Sequence, residues 1–191
     1  MTDWQILLAA YILGSIPFGL LLTRLAGLGD IRNIGSGNIG ATNVLRTGRK
    51  ALALCTVILD ALKGTIAVLL AEYLQPDLMA LAALCALLGH LYPIWLKFRG
   101  GKGVATALGI WLGLSPTIFA IMGIAWLLGA FITRRSSCGA LAAVAASPVA
   151  AYFLHPEYFA VALVMMALIT LRHRANIERI IKGTEPKIGE A

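Results

Sequence analysis

Long uncharged stretches separated by short polar segments run through the whole chain. Residues 4–23 carry no charge and include Pro17, residues 51–75 are interrupted mid-way by Asp60 and Lys63, and residues 78–96 follow a Gln75-Pro76-Asp77 turn. Residues 103–133 are again uncharged, with Ser115-Pro116 near the middle, and 139–154 and 158–171 flank His155-Pro156-Glu157. A bilayer-crossing helix needs roughly 20 apolar residues, and membranes tolerate an internal proline. Each stretch therefore reads as a membrane helix. The 103–133 segment is too long for one ordinary span, and its Ser-Pro break predicts two short helices. The pattern predicts an all-α bundle of seven transmembrane helices within one domain, residues 1–191, with both helices of 103–133 and the last span short for the hydrocarbon core, so that one of them is re-entrant or continues into a charged turn.

Composition agrees. A chain that is 59% hydrophobic and 13% charged, with mean hydropathy +0.84, is too apolar for a soluble domain. This excludes secreted toxins, zinc fingers and soluble nucleotide-binding folds. The net charge of +7 would suggest nucleic acid in a soluble protein, but here the positions of the charges report topology. Of the 16 Lys and Arg, all but Lys63 fall in residues 24–50, 97–102, 134–135 and 172–187. Basic residues near span ends stay on the cytoplasmic side, which puts the N-terminus outside and the C-terminus inside. One kinked helix over 103–133 would strand Arg134 and Arg135 on the wrong face. The N-terminal run lacks a preceding basic region and reads as a retained span. Cys55, Cys85 and Cys138 are widely spaced, as suits reduced packing residues, and no metal or cofactor is expected.

Four polar clusters fall on the predicted inner face. In Gly35-Ser36-Gly37-Asn38-Ile39-Gly40-Ala41-Thr42-Asn43-Val44-Leu45-Arg46, glycines can turn amides toward one point, Ser36, Asn38, Thr42 and Asn43 add short donors, and Arg46 adds a planar fork for phosphate. That describes an anion cradle; the alternative is a turn whose polar residues cap the second helix. Gly100-Gly101-Lys102-Gly103 offers backbone amides and a point charge near phosphate, or else a basic hairpin facing anionic lipid. It is not a Walker A loop, because Gly103 stands where Ser or Thr must follow the lysine and no strand precedes it. Arg134-Arg135-Ser136-Ser137 reads as a helix cap or a further anion contact. In 172–179, His173 and Asn176 share a helix face, and Glu178 can pair with Arg174 and Lys182. Helices starting near Thr42, Val104 and Gly139 would point their positive ends at this face.

Asp60 and Lys63, at i, i+3 inside a span, read as a neutralising structural pair, with direct catalysis as the alternative. Gly109 and Gly113 hint at close helix packing.

Taken in order, the Gly35–Arg46 segment, Gly100-Gly101-Lys102-Gly103 and His173-Arg174-Ala175-Asn176-Ile177-Glu178-Arg179 resemble the motifs of the bacterial membrane glycerol-3-phosphate acyltransferases of the acyl-phosphate-dependent type, over nearly the entire chain. The resemblance implies transfer of an acyl chain from acyl phosphate to the 1-hydroxyl of glycerol 3-phosphate, giving lysophosphatidic acid and phosphate at the cytoplasmic face of the bacterial inner membrane. It implies catalytic roles for Ser36, Arg46, Lys102, His173 and Asn176. It implies phosphate contacts from Gly35, Gly37, Asn38, Gly40, Thr42, Asn43, Gly100, Gly101, Gly103 and Ser137, with Glu178 architectural. Cys138 departs from the aliphatic residue expected after Ser137. The implied partners are the two substrates, membrane lipids and a soluble enzyme that makes the acyl phosphate; no nucleic acid is implied. The HxxxxD pair of other glycerolipid acyltransferases is missing: His173 has Glu178 at that spacing, and such residues point about 140° apart on a helix.

An acyl phosphate carries a good leaving group, so the enzyme must mainly position the hydroxyl and stabilise negative charge. His173 or a substrate phosphate oxygen then takes the hydroxyl proton. A transporter for a phosphorylated solute is the rival reading. It would want polar residues along a path to the outer face, and the spans supply almost none beyond Asp60 and Lys63.

Overall fold

The computed structural model describes residues 2–189; Met1 of the expected outer segment 1–3, and residues 190–191 of the expected domain, lie outside them. All regular structure among the described residues is helical. The chain falls into two compact units, one up to Leu114 and one from Ser115 onward.

The first unit contains α1 (Asp3–Gly14), α2 (Phe18–Leu25), α3 (Ala41–Leu45), α4 (Lys50–Leu74), α5 (Met79–Leu91) and α6 (Val104–Leu114). The expected first span is not one helix. It breaks at Ser15–Pro17, and α1 and α2 are bent by 43°, because proline cannot donate to the preceding turn and its ring crowds the preceding backbone. The span expected over 51–75 is α4, which starts only at Lys50. The helix expected near Thr42 is the separate five-residue α3, and α4 begins only after it, at Lys50.

Small residues hold these helices close. A Cβ on Gly109 would overlap the Ala61 carbonyl, one on Gly64 would lie 2.5 Å from the Thr106 carbonyl, and Thr65 Oγ1 donates to Gly109 O at 2.7 Å. The Gly109/Gly113 pattern thus forms the α4–α6 seam, where packing and hydrogen bonding replace the hydrophobic drive that lipid removes. Gly14 and Gly89 do the same between α1 and α5, each pressed on a carbonyl of the other helix.

The second unit contains α7 (Pro116–Thr133), α8 (Ser136–Leu154), α9 (Phe159–Arg172) and α10 (Arg174–Ile181). The break at Ser115-Pro116 matches expectation: Ser115 caps α7 by accepting from Ile118 N, and Pro116 takes the first helical position, where its missing N–H costs nothing. A left-handed Arg134 (φ 57°) turns the chain directly into α8, which starts at Ser136 and not at Gly139. Ser136 and Ser137 therefore lie in the first helical turn, and no side chain caps it. Gly139 packs on the Trp126 carbonyl, a Cβ there lying 2.5 Å away. His155 and Glu157 pair at 3.0 Å in the turn before α9. The expected continuous His173–Asn176 helix is instead a 64° bend between α9 and α10 at His173.

Among the described residues, four helices are long and apolar enough to cross a membrane: α4, Pro76–Leu96, α7 and α8. The bent pairs α1–α2 and Pro156–Arg172 with α10 raise this to six, and α6 is a shorter apolar helix. Many large apolar side chains point outward, among them Leu8, Ile12, Leu54, Ile66, Leu127, Phe131 and Val149. A bilayer solvates such faces, whereas water would not.

Candidate active site

In the first unit the Gly35–Arg46 loop is built around one side chain, Asn43. Its Nδ2 lies 2.8–3.0 Å from the carbonyls of Ile31, Ile34 and Asn38, which share its two hydrogens, while Oδ1 accepts from Ser36 N at 3.0 Å and Ser36 Oγ at 3.3 Å. Asn38 Oδ1 accepts from Gly40 N at 2.8 Å. Asn43 is the internal strut of the loop, and its hydrogen bonds go to protein. Gly35 (φ +54°) makes the turn possible: a Cβ there would lie 2.5 Å from Asn43 Oδ1 and 2.9 Å from Arg46 Nη1. The guanidinium therefore lies over the glycine backbone beside Ser36, which is exposed. Underneath, Leu20, Ile31, Ile39 and Val44 form an apolar plug that anchors the loop to α2 and α4.

Upstream, Asp30 accepts from Arg32 and Arg24 and from the Arg32 backbone. The Arg32 hydrogen bond, which outweighs partial burial, and the contact with Arg24 hold this carboxyl well below the usual carboxylate range, and Arg32 shifts upward in return.

The Gly100–Gly103 loop uses its glycines differently from expectation. Gly100 N donates to Leu91 O and Gly101 N to His90 O, both at 3.1 Å, so these two amides fasten the loop to the end of α5. A Cβ on Gly101 would fall on His90 Nε2. Lys102 and Gly103 (φ +89°) then lead straight into α6, Gly103 O accepting from Ala107 N at 2.8 Å.

Beneath the loop lies a buried ionic group. Lys63 Nζ is 2.7 Å from Asp60 Oδ1, His90 Nδ1 is 3.7 Å from the same oxygen, and all three residues are at most 4% exposed. Lys63 also donates to Ile16 O at 2.7 Å, at the α1–α2 break. The expected Asp60–Lys63 pairing is present.

In the second unit, His173 Nδ1 lies 2.8 Å from Ile169 O. A carbonyl can only accept, so Nδ1 carries the proton, and in the neutral ring Nε2 is the acceptor. Asn176 Nδ2 donates to Glu185 Oε1 at 2.6 Å, and Arg179 Nε donates to Oε2 at 2.7 Å. Ser137 Oγ is buried outside hydrogen-bonding geometry, yet near enough to the same carboxylate to favour its charged form. Burial pushes the Glu185 carboxyl up, but Asn176, Ser137 and Arg179 together outweigh it and hold it below its ordinary value. The tail is strapped further by Arg135 Nε to Glu185 O at 3.0 Å and Ile188 N to Arg134 O at 2.7 Å.

Sequence reading missed Glu185. It gave the architectural role to Glu178, but no ion pair joins Glu178 to Arg174 or Lys182 among the described residues. The available signal was no more than one of three glutamates in a basic C-terminal segment.

The glycerol-3-phosphate acyltransferase family model matches residues 4–183. A glycerol-3-phosphate acyltransferase of Mesorhizobium japonicum is 58% identical over 184 residues, 96% of this chain and 94% of the relative. One of Rhizobium meliloti is 52% identical over 199 residues, covering 100% and 98%. The crystal structure of PlsY, an integral membrane glycerol 3-phosphate acyltransferase, is similar in its glycerol 3-phosphate form with TM-score 0.93 and 36% identity, covering 98% of this chain and 96% of that one. The lysophosphatidic acid form gives TM-score 0.91 and 35% identity, covering 98% and 95%. With a family match running through both units and curated relatives matching along nearly their whole length, this chain belongs to the glycerol-3-phosphate acyltransferase family.

Proposed function

We propose that this protein acylates the 1-hydroxyl of glycerol 3-phosphate with acyl phosphate as donor, releasing lysophosphatidic acid and inorganic phosphate, the first acylation of phospholipid synthesis. The observation that carries the reading is the loop in which Asn43 and Gly35 hold Ser36 and Arg46 side by side. A hydroxyl beside a planar cation suits a phosphate dianion. Ser36 and Arg46 bind substrate phosphate, aided by Gly37, Asn38, Gly40 and Thr42, while Asn43 shapes the loop. Lys102 supplies a point charge, with Gly103 at its side and Gly100 and Gly101 fixing the loop.

The substrate hydroxyl attacks the acyl carbonyl, the carbon–oxygen bond to phosphate breaks, and phosphate leaves with the electron pair. The hydroxyl proton passes to His173 Nε2, whose acceptor role the Ile169 hydrogen bond fixes, or to a substrate phosphate oxygen. Asn176 and Ser137 assist through hydrogen bonds. No acyl-enzyme forms, so donor alone should leave no labelled acyl chain on Ser36 or Ser137.

The family match through both units supports one acyltransferase domain. Seven spans, with the N-terminus outside and the C-terminus inside, are supported by the count of apolar segments: four long helices, two bent pairs and α6. The confinement of basic residues to alternate connections supports a cytoplasmic face in the bacterial inner membrane. The same basic loops would meet a soluble enzyme that supplies the acyl phosphate.

The test is purified protein in lipid with glycerol 3-phosphate and either acyl phosphate or acyl-CoA. Lysophosphatidic acid with equimolar phosphate from acyl phosphate alone is expected; product from acyl-CoA would overturn the donor. Ser36→Ala and Arg46→Ala should abolish transfer while inserting normally.

A further inference from the structure

The ionic group beneath the Gly100–Gly103 loop has no part in the chemistry above, yet it touches that loop directly and reaches the Gly35–Arg46 loop through the α1–α2 break. Its upper end is His90, whose ring edge occupies the space where Gly101 would carry a Cβ and whose carbonyl accepts from Gly101 N at 3.1 Å. Its centre is the Asp60–Lys63 pair, with Asp60 Oδ1 at 3.7 Å from His90 Nδ1 and 2.7 Å from Lys63 Nζ. Its lower end is the 2.7 Å bond from Lys63 Nζ to the Ile16 carbonyl at the α1–α2 break, with Phe18 flanking the ammonium at 5.8 Å. Gly19, three residues on, is pressed so closely on the Ile39 carbonyl that a Cβ would overlap it, and Ile39 lies within the phosphate cradle.

We infer that Asp60, Lys63 and His90 are positioning residues that hold the Gly100–Gly103 loop and the Gly35–Arg46 loop in fixed register for glycerol 3-phosphate, a reading that rests on the acyltransferase function proposed above. Charges buried this deeply are costly, and well-packed apolar residues would stabilise a fold as well or better. Inside a bilayer the cost is higher still. What an apolar replacement cannot do is bond the Ile16 carbonyl, hold a carboxylate against an imidazole and thereby fix both the helix break and Gly101. A site displaced by about 1 Å loses on the order of 100-fold in catalytic efficiency, so two loops that must close on one small dianion need such a tie.

The test uses the full-length protein in lipid, with KM for glycerol 3-phosphate and for acyl phosphate measured separately from kcat. In Asp60→Leu/Lys63→Met, which removes both charges together, and in His90→Gln, we expect folded yield and melting temperature close to wild type. KM for glycerol 3-phosphate should rise at least 10-fold, kcat should fall less than 3-fold and KM for acyl phosphate should stay unchanged. An unaltered KM for glycerol 3-phosphate in the folded double variant, whatever its yield, is the result of a purely structural pair and would overturn the proposal. Should the double variant fail to fold, a second pair decides. Gly101→Ala should raise KM for glycerol 3-phosphate because its Cβ displaces the His90 ring, and in a His90→Gln background the same substitution should add less than 2-fold. A full multiplicative loss in the double variant would overturn the role of His90. Wild-type protein that turns over acyl phosphate keeps these outcomes separate from a failure of the acyltransferase reading itself.

Discussion

Asn176 and Glu185 meet through a 2.6 Å hydrogen bond from Nδ2 to Oε1, and this contact fixes which way the amide of Asn176 faces. The carboxylate takes the NH2 side, so the carbonyl oxygen of the amide must point away from it. Arg179 on the other carboxylate oxygen prevents Glu185 from turning.

Removing the carboxylate should therefore damage catalysis without touching any residue assigned to substrate. Hydrogen bonds to charged groups contribute roughly 1.5–3 kcal/mol, so Glu185→Ala, which leaves Asn176 and Arg179 without their partner, should reduce kcat/KM about 100-fold. Glu185→Gln keeps an acceptor and should reduce it about 10-fold. Steady-state kinetics on detergent-purified variants, normalised to folded protein, check the order.

Acid should loosen the same tail. The Glu185 carboxyl is held below its ordinary value in the fold, so its contribution to stability is complete above the unfolded carboxyl range near 4.5 and is lost as pH falls through the lower folded value. Limited proteolysis after residue 181 should accelerate on acidification below about pH 4.5 in wild type. In Glu185→Gln the cleavage rate should be high at neutral pH and flat across the same window.

Gly35 and Gly48 both have positive φ, at +54° and +78°, yet they predict different outcomes. A Cβ at Gly48 meets nothing within 4 Å, whereas at Gly35 it collides with Asn43 and Arg46. Gly48→Ala should cost only backbone strain of about 1 kcal/mol and retain at least half the activity. Gly35→Ala should lose more than 90% of transfer, with the loss expressed in substrate KM because Arg46 is displaced.

Asn43→Asp should be nearly inactive although it keeps the acceptor for Ser36. It loses the donor to the carbonyls of Ile31, Ile34 and Asn38, and it sets a negative charge beside a phosphate site. Asn43→Ala should also collapse the loop; a melting temperature several degrees below wild type, from the loss of several buried hydrogen bonds, checks that the strut is structural.

These cases show what was legible before the fold was seen. The apolar runs located nearly every long helix, because a bilayer imposes a length and a composition that the chain cannot disguise. Ser115-Pro116 was readable as a cap and a stop. Proline's effect at Pro17 was underestimated, since the helix gives way two residues before it and a lysine from α4 serves the exposed carbonyl. The cradle was recognisable by residue type, but not that Asn43 faces inward, because an asparagine looks alike as strut and as ligand. Gly100 and Gly101 read as phosphate-facing amides, yet their partners are carbonyls at the end of α5, a tertiary pairing with no local pattern. Glu185 was invisible for the same reason: Asn176 lies nine residues away, and Arg135 lies in the α7–α8 connection fifty residues earlier.

One feature of the first unit bears on the host membrane. At 1.5 Å per residue, the eleven residues of α6 extend only about 17 Å, little more than half of a hydrocarbon core of roughly 30 Å. If α6 is one of the seven spans proposed above, a polar segment at one end of it sits within the acyl-chain region, where it is either sheltered by protein or met by thinned lipid. The enzyme's rate should then depend on the thickness of the bilayer that its own pathway builds: shorter-chain lipids relieve the mismatch and longer ones strain it. On that reading, acyl-chain length in the finished membrane becomes a quantity that the first acylation step can sense through the eleven-residue α6.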